Sequence, residues 1–452
     1  MRSRPTLCAL RRARAIASAL VALAIAAPAH AAAAGLSATE RTIAASVDRH
    51  QPQSLALLER AVNLNSGTMN ADGVRAVGRL FQPELAALGF TVRWVDGAAW
   101  GRAGHLVAQR NGRGAGPRVL LIGHLDTVFE PDSPFQRFER LSDSTAHGPG
   151  VIDMKGGDVV MMLALRALAD AGAIDRLSFR VILSGDEENA GLPHALSRRD
   201  LVEAADWADL AMGFEDGAGD PATAVVARRG ASSWRLRAAG QPSHSSQIWR
   251  PDVGDGAIYE AARILDAFRD SLSREPLLTA NPGVVLGGTT VAFDAEHSRG
   301  TAFGKTNVVA ESTVVTGDLR AISMSQREAA KATMRRIVDA HRPRTSAEIT
   351  FEDGYPPLSP SDGNRRLLAT FDGASRDLGL GHVEGVDPIR AGAADIAFAD
   401  GRVEQAIDGI GLMGTGSHTT TETADLRWLA GNAKRVAVTL LRVAEERRHT
   451  RR

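Results

Sequence analysis

Short aliphatic runs alternate with longer helical patterns along this chain, and this alternation restricts the fold more than any other feature of the sequence. The runs are bounded by glycines and have the length of strands; they cover residues 91–95, 105–110, 118–122 and 178–184. A continuous apolar segment at 157–170 separates the last two runs and is long enough for a helix. The alternation predicts an α/β fold in which helices sandwich a mixed, largely parallel sheet.

A second pattern begins near Gly230 and has the order β-α-β-β-α-β. Its predicted strands cover residues 231–239, 283–293, 307–319 and 347–351, and its predicted helices cover 254–271 and 325–341. This order is typical of a ferredoxin-like module. After Pro356-Pro357 the α/β pattern resumes, with predicted helices near 364–378 and 423–445. We therefore predict one α/β domain in two parts, 39–229 and 353–452, with the second module inserted at 230–352.

The first 31 residues have the composition of a secretory signal. Arginines at positions 2, 4, 11, 12 and 14 precede an apolar run at 15–27, and Ala29-His30-Ala31 has the small-x-small pattern of a cleavage site. The run is shorter than the roughly 20 residues that span a bilayer, which disfavours a membrane anchor. We predict cleavage near Ala31 and a secreted or periplasmic protein.

Composition restricts the chemistry of the mature chain. The only cysteine, Cys8, lies in the predicted signal, so neither disulfides nor thiolate metal ligands are expected. The formal net charge of the full sequence is 0, and removal of residues 1–31 takes away five arginines and no acid, so the charge of the mature chain is −5, which does not indicate a nucleic-acid partner. Any metal site must therefore use nitrogen and oxygen ligands.

Acidic residues and histidines occur in four short islands, at 123–127, 150–157, 186–188 and 416–419. His124 and Asp126 follow one predicted strand, and the acids at 187 and 188 follow another. The carboxyl ends of parallel strands meet at one edge of a sheet, where α/β proteins bind ligands. Singly, these residues are also typical of a helix cap, a solvated turn or a surface histidine. Together they predict two divalent metals with a spare carboxylate, which indicates a metallohydrolase.

The islands resemble the co-catalytic di-zinc exopeptidases of the glutamate carboxypeptidase, aminoacylase and succinyl-diaminopimelate desuccinylase type. The matching motifs are Gly-His-x-Asp-Thr-Val at 123–128, Asp-Met-Lys-Gly-Gly at 153–157, Asp-Glu-Glu at 186–188 and a histidine after glycine at 416–418. The resemblance implies two Zn²⁺ per chain, replaceable by Co²⁺ or Mn²⁺. The implied metal ligands are His124, Asp153, Glu188, Glu215 and His418. Asp216 follows Glu215, and which of the two is the ligand stays open.

The resemblance also implies roles around the metals. Asp153 would bridge them, Asp126 would orient His124, and Glu187 would be the general base that activates a metal-bridging water. The implied substrate-binding residues are His244, Asn307, Arg320 and Arg390. An arginine suits a substrate carboxylate because its fork binds both oxygens. The resemblance further implies that 39–229 and 353–452 form the catalytic domain and that 230–352 is a lid or dimerisation domain. A homodimer through this inserted module is implied as well, with His244 reaching the partner's site.

These inferences predict an exported zinc-dependent hydrolase of C–N amide or peptide bonds. Its substrate would be small, with a free carboxylate, as in a glutamate carboxypeptidase. The same centre would also serve an N-acyl-amino-acid deacylase or a dipeptidase, and the sequence leaves this choice open. A binding protein that has lost catalysis is a more distant alternative, because it predicts a missing ligand or base and neither is missing here.

Overall fold

The computed structural model describes residues 35–295 and 297–450, with side chains described up to residue 447. The predicted signal at 1–31 lies outside the described residues. Among the described helices, none is both long enough and apolar enough to cross a membrane.

Helices and strands alternate through the described residues as the sequence pattern predicts. The α-helices are α1 (Ala38–Val62), α2 (Ala71–Ala87), α3 (Lys155–Asp170), α4 (His194–Ser197), α5 (Arg199–Trp207), α6 (Gly256–Leu272), α7 (Met324–Asp339), α8 (Asp362–Asp377) and α9 (Arg427–Thr450). The strands of the larger sheet are β1 (Thr91–Asp96), β2 (Gly104–Arg110), β3 (Arg118–His124), β6 (Ser178–Ser184), β7 (Leu210–Gly213) and β16 (Gln405–Ile407). The remaining strands are β4 (Glu139–Arg140), β5 (Thr145–His147), β8 (Thr223–Ala224), β9 (Gly230–Ala239), β10 (Thr279–Gly288), β11 (Thr290–Asp294), β12 (Arg299–Phe303), β13 (Ser312–Ala321), β14 (Ser346–Asp353), β15 (Glu384–Gly385), β17 (Gly414–Thr415) and β18 (Thr423–Asp425).

The larger sheet has the order β1-β2-β6-β3-β7-β16. The strands β6, β3, β7 and β16 are parallel neighbours, whereas β1 and β2 are antiparallel. In β3, Val119 and Leu121 pack into a core with α1, α3 and α9, while Leu120 and Ile122 pack into a second core with α5. Strand side chains alternate between faces, so both faces of the sheet are covered. The predicted α/β sandwich with a mixed, largely parallel sheet is confirmed.

Residues 230–353 form a separate four-stranded antiparallel sheet with the order β10-β13-β9-β14. The helices α6 and α7 pack on it around a core that includes Trp234, Leu236 and Val315. This arrangement has the predicted β-α-β-β-α-β order of a ferredoxin-like module.

One predicted strand of this module was wrong. The segment 283–293 is broken: β10 ends at Gly288, and β11 pairs with β12 as a separate hairpin. A Cβ on Gly288 would lie 2.5 Å from the carbonyl oxygen of Phe303, so glycine permits the hairpin to return against the strand end. The predicted strand at 307–319 consequently begins later, at Ser312.

A small sheet with the order β17-β18-β5-β4 joins the loop of His418 to the loop that precedes Asp153. The predicted helix at 423–445 was wrong at its start, since residues 423–425 pair with β5 and α9 begins only at Arg427. This pairing accounts for the position of His418 beside the main sheet.

Candidate metal centre

His124 is the last residue of β3, and it is buried with one ring nitrogen committed to the protein. Its Nδ1 lies 3.0 Å from the backbone carbonyl oxygen of Asp126. A carbonyl oxygen only accepts, so Nδ1 carries a proton, which leaves Nε2 as the nitrogen that faces the carboxylates. Nε2 lies 3.1 Å from Oδ1 of Asp153 and 3.7 Å from Oε1 of Glu215. The imidazole is thus oriented as a ligand.

Asp153 stands between two groups of potential ligands. Its Oδ1 faces His124, and its Oδ2 lies 2.9 Å from Nε2 of His418. His124, Asp153 and Glu215 form one group, and Asp153, Glu188 and His418 form the other, with ligand atoms within 4.8 Å of one another in each group. A carboxylate with one oxygen in each group has the geometry of a bridging ligand.

The residues present fit two divalent metals. Oε2 of Glu188 lies 3.1 Å from Nε2 of His418, whereas its Oε1 is buried with no hydrogen-bond partner among the described residues. A buried carboxylate oxygen without a partner is costly unless an ion binds it. Imidazole and carboxylate ligands without thiolate suit Zn²⁺, Co²⁺ or Mn²⁺. Glu215, rather than Asp216, is the acid grouped with His124.

The candidate centre contains more buried carboxyl groups than positively charged groups that could neutralise them. Burial raises the pKa of Glu187 and of Glu215 well above the usual range, and it raises the pKa of Asp216 to about 7. Hydrogen bonds with Asp153 and Glu188 raise the pKa of His418 to about 11. Carboxyl groups that burial pushes towards the neutral form are returned to the charged form by nearby cations. The electrostatics therefore favour bound metal ions.

Asp126 holds the turn that carries the proposed base. Its Oδ1 and Oδ2 accept the backbone N–H groups of Glu187 and Glu188 at 3.0 and 3.1 Å, and the hydroxyl of Thr68 donates to Oδ2 at 2.6 Å. Oδ1 also lies 3.4 Å from Nδ1 of His124. Asp126 therefore orients His124 through its backbone carbonyl and anchors the 187–188 turn through its carboxylate.

The carboxyl group of Glu187 has no hydrogen bond to any described residue, and it is buried close enough to His124, Asp153 and Glu188 for their charges to act on it. Its backbone is held by Asp126, while its side chain stays free to accept a proton. A raised pKa and a fixed backbone are properties of a general base.

Residues 120–442 match the profile of peptidase family M20/M25/M40. The chain belongs to this family. It is therefore a metallopeptidase-type hydrolase, and the family resemblance drawn from the motifs is confirmed. Carboxypeptidase G2 of a Pseudomonas strain is 26% identical over 82% of this chain and 84% of that protein. Succinyl-diaminopimelate desuccinylase of Leptothrix cholodnii is 30% identical over 48% of this chain and 57% of that protein.

Solved structures of the M20 family share the fold. A dinuclear metal-binding M20 peptidase from Bacillus subtilis has a TM-score of 0.61 at 16% identity, covering 88% of this chain and 99% of that one. Aminopeptidase PepT from Bacillus cereus has a TM-score of 0.66 at 19% identity, and the match covers 87% of this chain and 99% of that one. At these identities the likeness concerns the fold.

The M20 centre also contains a residue that the sequence analysis missed. Glu422 accepts the backbone N–H groups of Gly150, Ile152 and Asp153 at 3.1, 2.9 and 3.2 Å. Four residues before it, His418 has a φ of 62°, in the left-handed region that non-glycine residues seldom occupy. Glu422 thus fastens the loop of His418 to the loop of Asp153. Its position soon after His418 was the only signal in the sequence.

Three of the four predicted substrate-binding residues of this M20 chain belong to the inserted module, and Arg390 follows it in the chain. His244 and Asn307 are neighbours in the module, where the N–H of Ser245 donates to the carbonyl of Asn307 at 2.9 Å. Nε of Arg320 donates to Oδ2 of Asp318 at 2.9 Å, and Arg390 is exposed. Among the described residues, none of the four side chains has a hydrogen bond or ion pair with a candidate ligand. Their roles stay predictions.

Proposed function

We propose that this chain is an exported, zinc-dependent exopeptidase of the carboxypeptidase type, which cleaves a C–N amide bond in a small substrate with a free carboxylate. One observation carries the proposal: two ligand groups share Asp153, and the buried carboxyl group of Glu187 lies within charge-interaction distance of residues of both groups. Metals held by these ligand groups would supply a Lewis acid, and Glu187 is a proton acceptor at the same place.

Each part has a distinct task. Two bound divalent ions would polarise the scissile carbonyl and lower the pKa of the attacking water towards about 7. Glu187 accepts the proton of that water and then donates it to the leaving amine nitrogen, so one carboxyl group serves as base and acid in turn. Asp126 keeps the backbone of Glu187 fixed while the proton moves.

The preference for a free carboxylate rests on Arg390. Its guanidinium has no ion pair among the described residues and is open to solvent. The similarity to carboxypeptidase G2 over most of both chains supports the same substrate class. The similarity to succinyl-diaminopimelate desuccinylases favours a deacylase of N-acyl amino acids as the second candidate, and a dipeptidase is a third.

A substrate panel separates these candidates. Folyl-glutamate-type compounds, N-acyl amino acids and dipeptides are compared by kcat/KM with the zinc-loaded enzyme. The proposal predicts the highest value for a substrate that releases a C-terminal amino acid from an amide. Preference for a short acyl group on an amino acid would favour the deacylase instead.

The substitution Glu187→Gln tests the chemistry, since glutamine keeps the shape and cannot accept the proton. We expect kcat to fall by at least about a thousandfold with metal content unchanged. Glu59→Gln, on the exposed face of α1, is the control and should leave kcat unchanged. Full activity of Glu187→Gln would contradict the assignment of the base. Fewer than two metals per chain at saturating zinc would contradict the dinuclear centre.

A homodimer through the inserted module belongs to the same proposal. The strand β10 is at the edge of its sheet, and Ile258, Val285 and Phe303 are exposed nearby. An open strand edge can pair with its twin about a two-fold axis. Sedimentation should give a dimer that Ile258→Asp weakens, and a monomer for the unaltered protein would contradict it. Export predicts a mature N-terminus close to residue 32, which N-terminal sequencing of the periplasmic or secreted protein checks.

A further inference from the structure

The backbone of Glu187 makes hydrogen bonds to two different parts of the chain. One of them is the segment through which the chain returns from the inserted module to the catalytic part. On one side, the N–H of Glu187 donates to Asp126. On the other, the carbonyl oxygen of Glu187 accepts a hydrogen bond from the hydroxyl of Tyr355 at 3.1 Å. Tyr355 is 168 residues away in sequence and follows β14 by two residues. A residue at the edge of the module therefore touches the peptide of the proposed base.

Tyr355 sits where the chain passes from the module back to the catalytic part. The outgoing and return connections lie side by side: the N–H of Ala231 donates to the carbonyl of Tyr355 at 3.0 Å, and Arg228 and Leu358 exchange two backbone hydrogen bonds. A Cβ on Gly230 would lie 2.5 Å from the nitrogen of Pro357, so the two segments are in close contact. Tyr355 therefore lies at the hinge between the module and the catalytic part, in contact with both.

The direction of the hydrogen bond to Glu187 is determined by Arg198. This buried arginine donates from Nη2 to the hydroxyl oxygen of Tyr355 at 2.7 Å. Arginine has only donors, so the tyrosine oxygen is the acceptor there. Its single proton then points to an acceptor, and the carbonyl of Glu187 is the one in reach.

Arg198 is itself immobilised by two buried carboxylates. Its Nη1 donates to Asp186 and its Nε donates to Asp395, both at 2.7 Å. The ring of Phe398 packs against Tyr355 with centroids 5.2 Å apart. The tyrosine hydroxyl is therefore held in one position relative to the 186–188 turn, which makes it a rigid link rather than a loose contact.

We propose that Tyr355 is a positioning residue that couples the orientation of the inserted module to the position of Glu187. The inference rests on the proposed function in that Glu187 is the base. When the module moves over a bound substrate, the link through Tyr355 carries that movement to the peptide of Glu187. Tyr355 acts through Glu187 and does not touch the reacting atoms.

The chain contains only two tyrosines, which makes the test specific. Tyr355→Phe keeps the ring and removes the hydroxyl, and Tyr259→Phe, on the exposed face of α6, is the matched control. With the best substrate of the panel above, we expect Tyr355→Phe to lower kcat about tenfold, with KM within about twofold and two metals retained. Tyr259→Phe should have the same kcat and KM as the unaltered enzyme. Unchanged kcat in Tyr355→Phe would overturn the proposal.

A spectroscopic readout separates coupling from a purely structural role. Fluorotyrosine labelling gives two ¹⁹F resonances, which the two Tyr→Phe variants assign. In zinc-loaded Glu187→Gln, saturation with the same substrate should shift the resonance of Tyr355 and leave that of Tyr259 in place. A Tyr355 resonance that substrate does not move would overturn the coupling. Full activity of Glu187→Gln would instead show that the proposed function has failed.

Discussion

The carboxylate of Glu422 accepts the backbone N–H of Asp153 at 3.2 Å, across 269 residues of sequence. This hydrogen bond joins the loop of one predicted metal ligand to the loop of another. Glu422 stands close to His418 in the chain, and Asp153 is the residue that both ligand groups share. The spacing of the two groups therefore depends on a glutamate that belongs to neither group.

Removal of this carboxylate should weaken metal binding more than catalysis. We expect Glu422→Gln to lower zinc affinity by about 10- to 100-fold, the range typical of groups that orient metal ligands, because it disturbs three hydrogen bonds to residues 150–153. Competition with a chelator measures the affinity. At saturating zinc, kcat should stay within a few-fold of the unaltered enzyme. Wild-type zinc affinity in Glu422→Gln would contradict the role, and Glu59→Gln provides the baseline.

Arg198 should be among the residues that stability depends on most. It is fully buried between the carboxylates of Asp186 and Asp395. Methionine fills a similar volume without the charge, so Arg198→Met leaves two buried acids unpaired. We expect a loss of about 3–5 kcal/mol in the free energy of unfolding, measured by urea denaturation. Arg199→Met removes an exposed neighbour and should cost less than about 1 kcal/mol. Equal losses in the two variants would show that the buried pairs contribute little.

Asp209 should make stability depend on pH in the acid range. Burial raises its pKa, but hydrogen bonds from Arg447 and Arg118 outweigh burial and hold the pKa below its usual value. A depressed pKa in the folded state stabilises the protein above the unfolded pKa of about 3.9, and this stabilisation is lost as pH falls towards the folded value.

Asp209→Asn should therefore lower the free energy of unfolding by about 1–2 kcal/mol at pH 7, and the difference should shrink below about pH 4. Denaturation at several pH values measures the difference. Asp206→Asn, whose ion pair with Arg402 is partly exposed, is the control. If the difference in the free energy of unfolding grew as pH falls, the prediction would be contradicted.

Arg390 should determine the preference for substrates with a free carboxylate. Arg390→Ala is expected to raise KM about 10- to 100-fold for such substrates, because a charge-assisted, bidentate pair is lost. KM for the corresponding carboxamides should stay unchanged. Arg366→Ala, exposed on α8, is the control. An equal rise in KM for acids and amides would exclude carboxylate recognition by Arg390.

The sequence predicted those helices and strands whose pattern of apolar residues is visible within a short stretch of the chain. The strand at 178–184 was predicted residue for residue, because its aliphatic run is bounded by polar and glycine residues. Apolar residues recur at helical spacing from 39 to 89 and predict helix throughout, yet residues 63–70 are not helical and separate α1 from α2. The hairpin of β11 and β12 was missed because it forms through pairing with its own neighbour, away from the core.

In the candidate site, too, the sequence predicts the residues that belong to local motifs and misses those that do not. Residues that supply ligands occur in short motifs, so their chemistry is visible in the chain. Arg198 and Tyr355 have no such motif: Arg198 lies beside another arginine and resembles a surface residue until Asp186 and Asp395 surround it. Their importance arises from contacts between distant segments, which no pattern of spacing encodes.

The neighbouring connections at Arg228 and Leu358 make the inserted module replaceable as a unit. Because the chain leaves and returns between hydrogen-bonded neighbours, a turn of about two to five residues could close the gap if residues 231–354 were replaced. The main sheet and every candidate metal ligand lie outside that segment. A different module grafted between the same two connections would change which substrates reach the centre, while every candidate metal ligand and Tyr355 are kept.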